Sequence, residues 1–251
     1  MRIPSWGYPG TDARRRVRLL AVIAVRDGMR HLPGFLRNVS PQMDGIVALD
    51  DGSTDGTAEL LESHPAVVEL IRLPPDRPEW DEVGNHRALV AAALAHDADW
   101  ILSVDADERL ERDFRPRAER VIRRGNLLGF SAYAIRLREL WDDPGQYRSD
   151  GIWGKKTMAR LFRAREDHEF DSAAIHGQKA PLQARHNGRY PGADLIVYHL
   201  GMLRPEDRDA RRARYERSDP HRRWQAIGYE YLTDPAGLVL RRIPPPRAFT
   251  E

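Results

Sequence analysis

Leu19-Leu20-Ala21-Val22-Ile23-Ala24-Val25 is an unbroken apolar run, closed by the charged pair Arg26-Asp27. A strand with one wet face alternates apolar and polar residues. A run without alternation belongs to a strand covered on both faces, as in a parallel sheet between helices. Working outward, the same signature returns at Ile46-Val47-Ala48-Leu49, at Val67-Val68-Glu69-Leu70-Ile71 and at Trp100-Ile101-Leu102-Ser103-Val104. Between these runs, Leu32, Phe35, Leu36 and Val39 have helical spacing. Asp55 or Thr57 is placed to cap a helix through Leu60 and Leu61, and Val83, Leu89, Val90 and Leu94 mark a third helix. Strand and helix alternate over 17–127, which predicts an α/β fold with a mostly parallel sheet flanked by helices and joined by right-handed crossovers.

After Gly129 the rhythm changes. Phe130–Leu137 reads as extended and is followed by a polar, aromatic loop carrying Trp141, Tyr147 and Trp153 among Asp142, Asp143 and Asp150. That loop suits sugar binding, a mobile lid or plain aromatic packing. Ala159–Arg163 and Leu195–His199 are further strand candidates. Pro205 and Pro220, the latter behind Asp219, sit at first-turn positions of a helical tail, and Ile243-Pro244-Pro245-Pro246 begins an extended end. The organisation expected is an irregular arm over 1–16, an α/β half over 17–127, a second half of the same domain over 128–203, and a helical tail with an extended C-terminus over 204–251.

The bulk composition agrees with one domain. The chain has 251 residues, 41% of them hydrophobic, enough for a real core. Its 40 Lys and Arg nearly cancel 38 Asp and Glu, and the basic residues are not interleaved with aromatics in a recognisable module, so no nucleic-acid partner is expected. The late arginines Arg208, Arg211, Arg212, Arg214, Arg217, Arg222 and Arg223 read first as a solvated face, second as contacts to phosphate. With no cysteine, disulfides and thiolate metal sites are excluded. The first residues lack an apolar signal core, and Leu19–Val25 is far shorter than the roughly 20 residues a membrane span needs. A cytoplasmic protein without a transmembrane segment is expected, with peripheral membrane contact left open.

Two acidic motifs end buried strands. Asp50-Asp51-Gly52-Ser53-Thr54-Asp55-Gly56-Thr57 follows the second run and opens a helix. Ligands of open parallel sheets bind at the carboxyl ends of strands, where a carboxylate can accept base N–H groups or ribose hydroxyls. Asp105-Ala106-Asp107-Glu108 follows the fourth run. Three carboxylates in four residues repel one another unless a cation sits among them, and oxygen-only ligands suit Mg2+ or Mn2+, which bridge carboxylates and diphosphates. With strand-like alternation, Asp105 and Asp107 point to one side and Glu108 elsewhere.

Leu19–Val25, Asp50–Thr57 and Trp100–Glu108 together resemble a family 2 glycosyltransferase of the GT-A (Rossmann-like) fold, well over 17–110 and loosely beyond. Arg26-Asp27, the Asp-Ala-Asp-Glu element and a later Ile-His element look most like bacterial lipooligosaccharide-type glucosyltransferases. The resemblance implies an inverting transfer of a hexose from a nucleoside-diphosphate sugar to an acceptor hydroxyl on a saccharide, glycolipid or natural product, with Mn2+ or Mg2+ as cofactor. It implies Asp51 as the contact to the base, with Val25, Arg26, Ser53, Asp105 and Ala106 lining the donor site and Arg87 on the phosphate side. It implies Asp107 as metal ligand, with Asp105 facing the ribose or the metal. His199, ending Leu195–Tyr198, is a further metal ligand or a satisfied core histidine. The chain departs from these relatives at Ile175-His176-Gly177-Gln178-Lys179, where Gly177 stands in place of the glutamate that would be the base. His176 and Asp171 are the remaining candidates for that role. A sugar nucleotidyltransferase fits less well, since Arg26-Asp27-Gly28-Met29-Arg30-His31 holds a single glycine. The loss at Gly177 is the main support for a third reading, a non-catalytic nucleotide-sugar-binding relative.

Overall fold

The structure, a computed structural model, describes residues 16–76, 80–170, 179–223 and 225–250. Strand β1 (Leu19–Val25) lies between β2 (Gly45–Asp50) and β4 (Trp100–Ser103), parallel to both, and β3 (Val67–Arg72) adds to the outside of β2. Both faces of β1 are covered, as its unbroken run requires. Leu19, Ala21, Ile23 and Val25 face a core with Phe35 and Leu36 of α1 (Leu32–Val39), Leu61 of α2 (Thr57–Ser63), and Phe114 and Ile122 of α4 (Phe114–Leu128). Leu20 and Val22 face the other core, with Leu89, Val90 and Ala93 of α3 (Glu82–Ala95). The parallel part thus has the strand order β3–β2–β1–β4. The chain leaves β1 in one direction and returns on its other side at β4, which makes the β1/β4 boundary the switch point where such sheets bind ligands.

Beyond β4 the sheet continues with antiparallel neighbours. β8 (Thr157–Arg163) pairs with β4, β6 (Ala132–Trp141) with β8, β7 (Asp143–Arg148) with β6, and β10 (Leu240–Arg242) with β7. The short β5 (Glu108–Leu110) pairs with β9 (Gly192–His199), which runs parallel to β6.

Expectations for the second half and for one helix cap are corrected, while plain aromatic packing, one of the readings of the loop, is what is found. The polar, aromatic stretch after β6 is a hairpin: Asp142 takes φ 62° at its turn and β7 runs back along β6. Trp141 and Trp153 are buried and join Met202, Tyr229 and Leu232 in a small core, with the Arg148 guanidinium 4.6 Å from one indole and 5.2 Å from the other. No helix starts at Pro220, because Asp219 turns its carboxylate to the N–H groups of Arg223 and Gln225 and to the Tyr229 hydroxyl. Among its described residues the tail holds one α-helix, α5 (Pro205–Ser218), and then the strand β10. At the start of α2 it is Gly56, with φ 92°, that takes the capping position. Among the described residues, no helix is long and apolar enough to cross a membrane.

Candidate active site

A cavity of 1290 Å³ opens at the switch point. Its walls include Ala24–Gly28 from the end of β1, Ser103–Glu108 from the end of β4, and His199 from β9, with Arg211, Arg214 and Tyr215 from α5 above them.

The Asp50–Thr57 motif builds the first wall indirectly. Ser53 Oγ accepts the Asp27 N–H at 2.9 Å, Thr57 Oγ1 the Gly28 N–H at 2.8 Å, and Asp55 Oδ2 the Met29 N–H at 3.0 Å. Asp27 answers by accepting the Thr54 N–H at 2.8 Å. Asp51 is fully buried and accepts from the Arg26 guanidinium at 2.8 Å; Arg26 itself lines the cavity. Gly52 has φ 76°, and a Cβ there would stand 2.6 Å from the Pro74 carbonyl oxygen, so the turn right after Asp50-Asp51 admits no side chain. Asp51 and Ser53 therefore stand one layer behind the cavity lining. Arg87 is exposed on α3 outside that lining, whereas its neighbour His86 is buried and forms part of it. The Lys179 carbonyl, which can only accept, takes the His86 Nε2–H at 2.8 Å. Burial holds this imidazole down to about 4, with the nearby Lys179 charge adding to the effect.

The second acidic motif leaves β4 through a turn, so strand alternation does not apply to it. Asp105 and Glu108 come together on Arg160 of β8: Nη2 donates to Asp105 Oδ2 at 3.1 Å and Nη1 to Glu108 Oε2. The same Glu108 oxygen accepts the Asp105 N–H at 2.9 Å. Burial pushes Glu108 up to about 7, against Arg160 and with help from Asp105. Asp107 points instead to His199, whose Nε2 lies 3.0 Å from Asp107 Oδ2, while Nδ1 meets the buried Glu139 of β6. Glu139 is also paired with Lys156. Burial works against the charged imidazolium, but Asp107 and Glu139 outweigh it and raise His199 to about 10. Burial likewise opposes the Asp107 anion, yet His199 and Arg211 hold it far below the usual carboxylate range.

Among the described residues, no three His, Asp or Glu side chains form a metal-holding group. Two do face each other across an open cradle. A Cβ on Gly201 would sit 2.6 Å from Asp107 Oδ2 and 2.9 Å from both His199 Cε1 and Arg211 Nη1. Mg2+ and similar ions take one or two protein ligands and complete their shell with substrate phosphates and water. Adjacent ligands bonded at about 2.1 Å stand about 3 Å apart, which is the observed Asp107–His199 spacing. Metal-binding histidines give their second nitrogen to a carboxylate, and Glu139 is in that place. The residues present fit a divalent cation.

Sequence reasoning brought Asp105, Asp107 and His199 to one site, together with Val25, Arg26 and Ala106. It missed Glu139, Arg160, Lys156 and Gly201, which lie on strands and loops whose patterns report burial and not pairing. The late arginines were read first as solvated. Arg208 is instead buried, stacked 4.1 Å from the Trp141 ring and bonded to Asp142 at 2.8 Å, while Arg211 reaches the cavity. His176 and Asp171 lie outside the described residues, as does most of the arm over 1–16.

Comparison with known proteins bears on this geometry. Two uncharacterized proteins, from Mycobacterium tuberculosis and Mycobacterium bovis, are each 29% identical over 224 residues, which is 85% of this chain and 54% of theirs. The chain thus spans about half the length of the curated relatives it matches. The mannosyltransferase PcManGT from Pyrobaculum calidifontis, solved with GDP-Man and Mn2+, superposes with a TM-score of 0.54 at 14% identity, covering 93% of this chain and 67% of that one. TarS 1-349 of S. aureus, solved with UDP-GlcNAc, gives a TM-score of 0.50 at 12% identity over 86% of this chain and 70% of that one. At these identities the likeness shows a shared GT-A fold. Residues 32–177, more than half the chain and including both acidic motifs, match the family described as glycosyl transferase family 2. The chain belongs to that family.

Proposed function

We propose that the protein is an inverting, Mn2+- or Mg2+-dependent hexosyltransferase of the cytoplasm, moving a sugar from a nucleoside diphosphate to a hydroxyl of a saccharide, glycolipid or natural product. The observation that carries this reading is the cradle between Asp107, His199 and Gly201, which opens into the cavity at the switch point. Val25 and Arg26, with Asp51 and Ser53 behind them, would receive the nucleoside. Asp105 and Ala106 would line the ribose side. Asp107 and His199 would hold the ion, which when bound supplies positive charge to the leaving diphosphate. Glu139 keeps His199 oriented. The acceptor hydroxyl must give up its proton to a base, and His176 and Asp171 remain the proposed candidates. If His176 is that base, His176→Ala lowers kcat far more than donor affinity.

Calorimetric titration of UDP, GDP and dTDP, each with Mn2+, Mg2+ or chelator, tests the reading. Tight binding of one diphosphate that collapses in chelator and in Asp107→Ala is expected. No binding of any diphosphate overturns it. Donor binding without transfer across a broad acceptor panel would favour the non-catalytic reading that Gly177 suggests.

A further inference from the structure

Arg211 differs from the arginines around it whose guanidinium groups are matched to a carboxylate. Arg26 has Asp51, Arg160 has Asp105 and Glu108, Arg148 has Asp150, and Arg208 has Asp142, each at ion-pair distance. Arg211, among the described residues, makes no ion pair within 4.0 Å. Its Nη1 lies 3.1 Å from His199 Nε2 and 3.4 Å from His199 Nδ1, and its Nη2 donates to the Tyr215 hydroxyl over a long 3.4 Å. Both His199 nitrogens are engaged by Asp107 and Glu139, so they are close neighbours of the guanidinium and not its acceptors, and the Tyr215 contact is a weak hold. Burial works against its charge, and Tyr215 first, then Glu139 and Asp107, hold its pKa above the ordinary arginine value. The same Nη1 borders the cradle that a Cβ on Gly201 would fill, together with Asp107 Oδ2.

We propose that Arg211 and a divalent metal ion compete for the cradle, and that the donor's diphosphate is the anion that takes the guanidinium when the ion holds it. This rests on the metal-dependent reading above. Two arguments support it. A divalent ion between Asp107 and His199 would bring two positive charges against a guanidinium with no carboxylate of its own, and like charges at such distances repel strongly at low effective dielectric. A diphosphate entering the same cavity offers Arg211 the paired oxygens that guanidinium groups bind best. The exchange needs a rotation of the Arg211 side chain alone, whose hydrogen bond to Tyr215 is a single long contact. Metal and diphosphate binding are therefore coupled, each weak without the other.

The test measures Mn2+ uptake by electron paramagnetic resonance, with and without UDP or GDP, for the wild type, Arg211→Met and Asp107→Ala. The wild type should bind Mn2+ weakly alone and at least tenfold more tightly with its preferred diphosphate. Arg211→Met should bind Mn2+ alone at least tenfold more tightly than the wild type and should lose most of the gain from the diphosphate. Arg211→Gln replaces it if its melting temperature shows a folding defect. Mn2+ affinity of the uncharged variants equal to or below that of the wild type, while Asp107→Ala binds none, overturns this inference alone. No Mn2+ uptake by the wild type with either diphosphate overturns the metal-dependent reading and this inference with it.

Discussion

Glu139 and Asp107 grip the same imidazole from opposite sides, Glu139 at Nδ1 and Asp107 at Nε2 of His199. Both line the cavity, but Glu139 is fully buried and Asp107 partly exposed, so the first sets the ring and the second shares it with whatever enters. Glu139→Gln keeps the size and removes the charge. Mn2+ affinity in the presence of diphosphate should fall about 10- to 100-fold, the usual cost of losing such a supporting carboxylate. An unchanged Mn2+ titration would make His199 a structural histidine.

Gly201 faces the open side of the same cluster. An alanine there would push its Cβ to within 2.6 Å of Asp107 Oδ2. Gly201→Ala should fold, since the neighbours it meets are side-chain ends, and should bind Mn2+ at least about tenfold more weakly. Retained metal affinity, with a melting temperature like that of the wild type, would show that the cradle is not the ion's place.

Asp51 acts one layer back. Asp51→Ala leaves the Arg26 guanidinium without its carboxylate, 2.8 Å away in the native protein. A charged hydrogen bond of this kind is worth about 1.5–3 kcal/mol, so nucleotide affinity should drop at least about tenfold. The drop should persist in chelator, because no metal ligand has changed. Equal metal-free affinities in the two proteins would remove Asp51 and Arg26 from the nucleoside side.

His86 makes stability depend on pH. Its ordinary value of 6.5 is held down to about 4 by burial. Above pH 6.5 it is neutral in both folded and unfolded chains and costs nothing. Between 6.5 and 4 the unfolded chain takes up a proton that the native one refuses, so stability falls as the solution is acidified. The loss from this group amounts to about 3 kcal/mol by pH 4. His168, also held to about 4 by burial, adds to it. Urea unfolding at pH 8 and pH 5 should show a smaller difference in His86→Gln than in the wild type. Identical differences would place the titration elsewhere.

The parallel half was legible because its rule is one-dimensional. Leu19–Val25 has to be covered on both faces, and the cores around Phe35 and Leu89 cover it. Asp105, Asp107 and His199 were legible as a set because each ends or closely follows a strand that the pattern reveals. Arg160 was not, since one arginine inside Ala159–Arg163 reads as the outward residue of a short strand. Only the β4–β8 pairing brings it under Asp105 and Glu108. The hairpin of β6 and β7 was hidden for a related reason. Its turn rests on Asp142 in a left-handed conformation with no glycine at the bend, and its partner strand, β10, lies far along the chain.

The hydroxyls and carboxylate that Ser53, Thr57 and Asp55 lend to the backbone of Asp27–Met29 bind two distant segments into one rigid piece. A graft that imports the first loop from a relative, to change which nucleotide is accepted, would strip three amide groups of their acceptors unless the second loop travelled with it. If this wall receives the nucleoside as proposed, its specificity is heritable only as a two-loop cassette. An engineer should exchange residues 26–29 and 51–57 together or leave both alone.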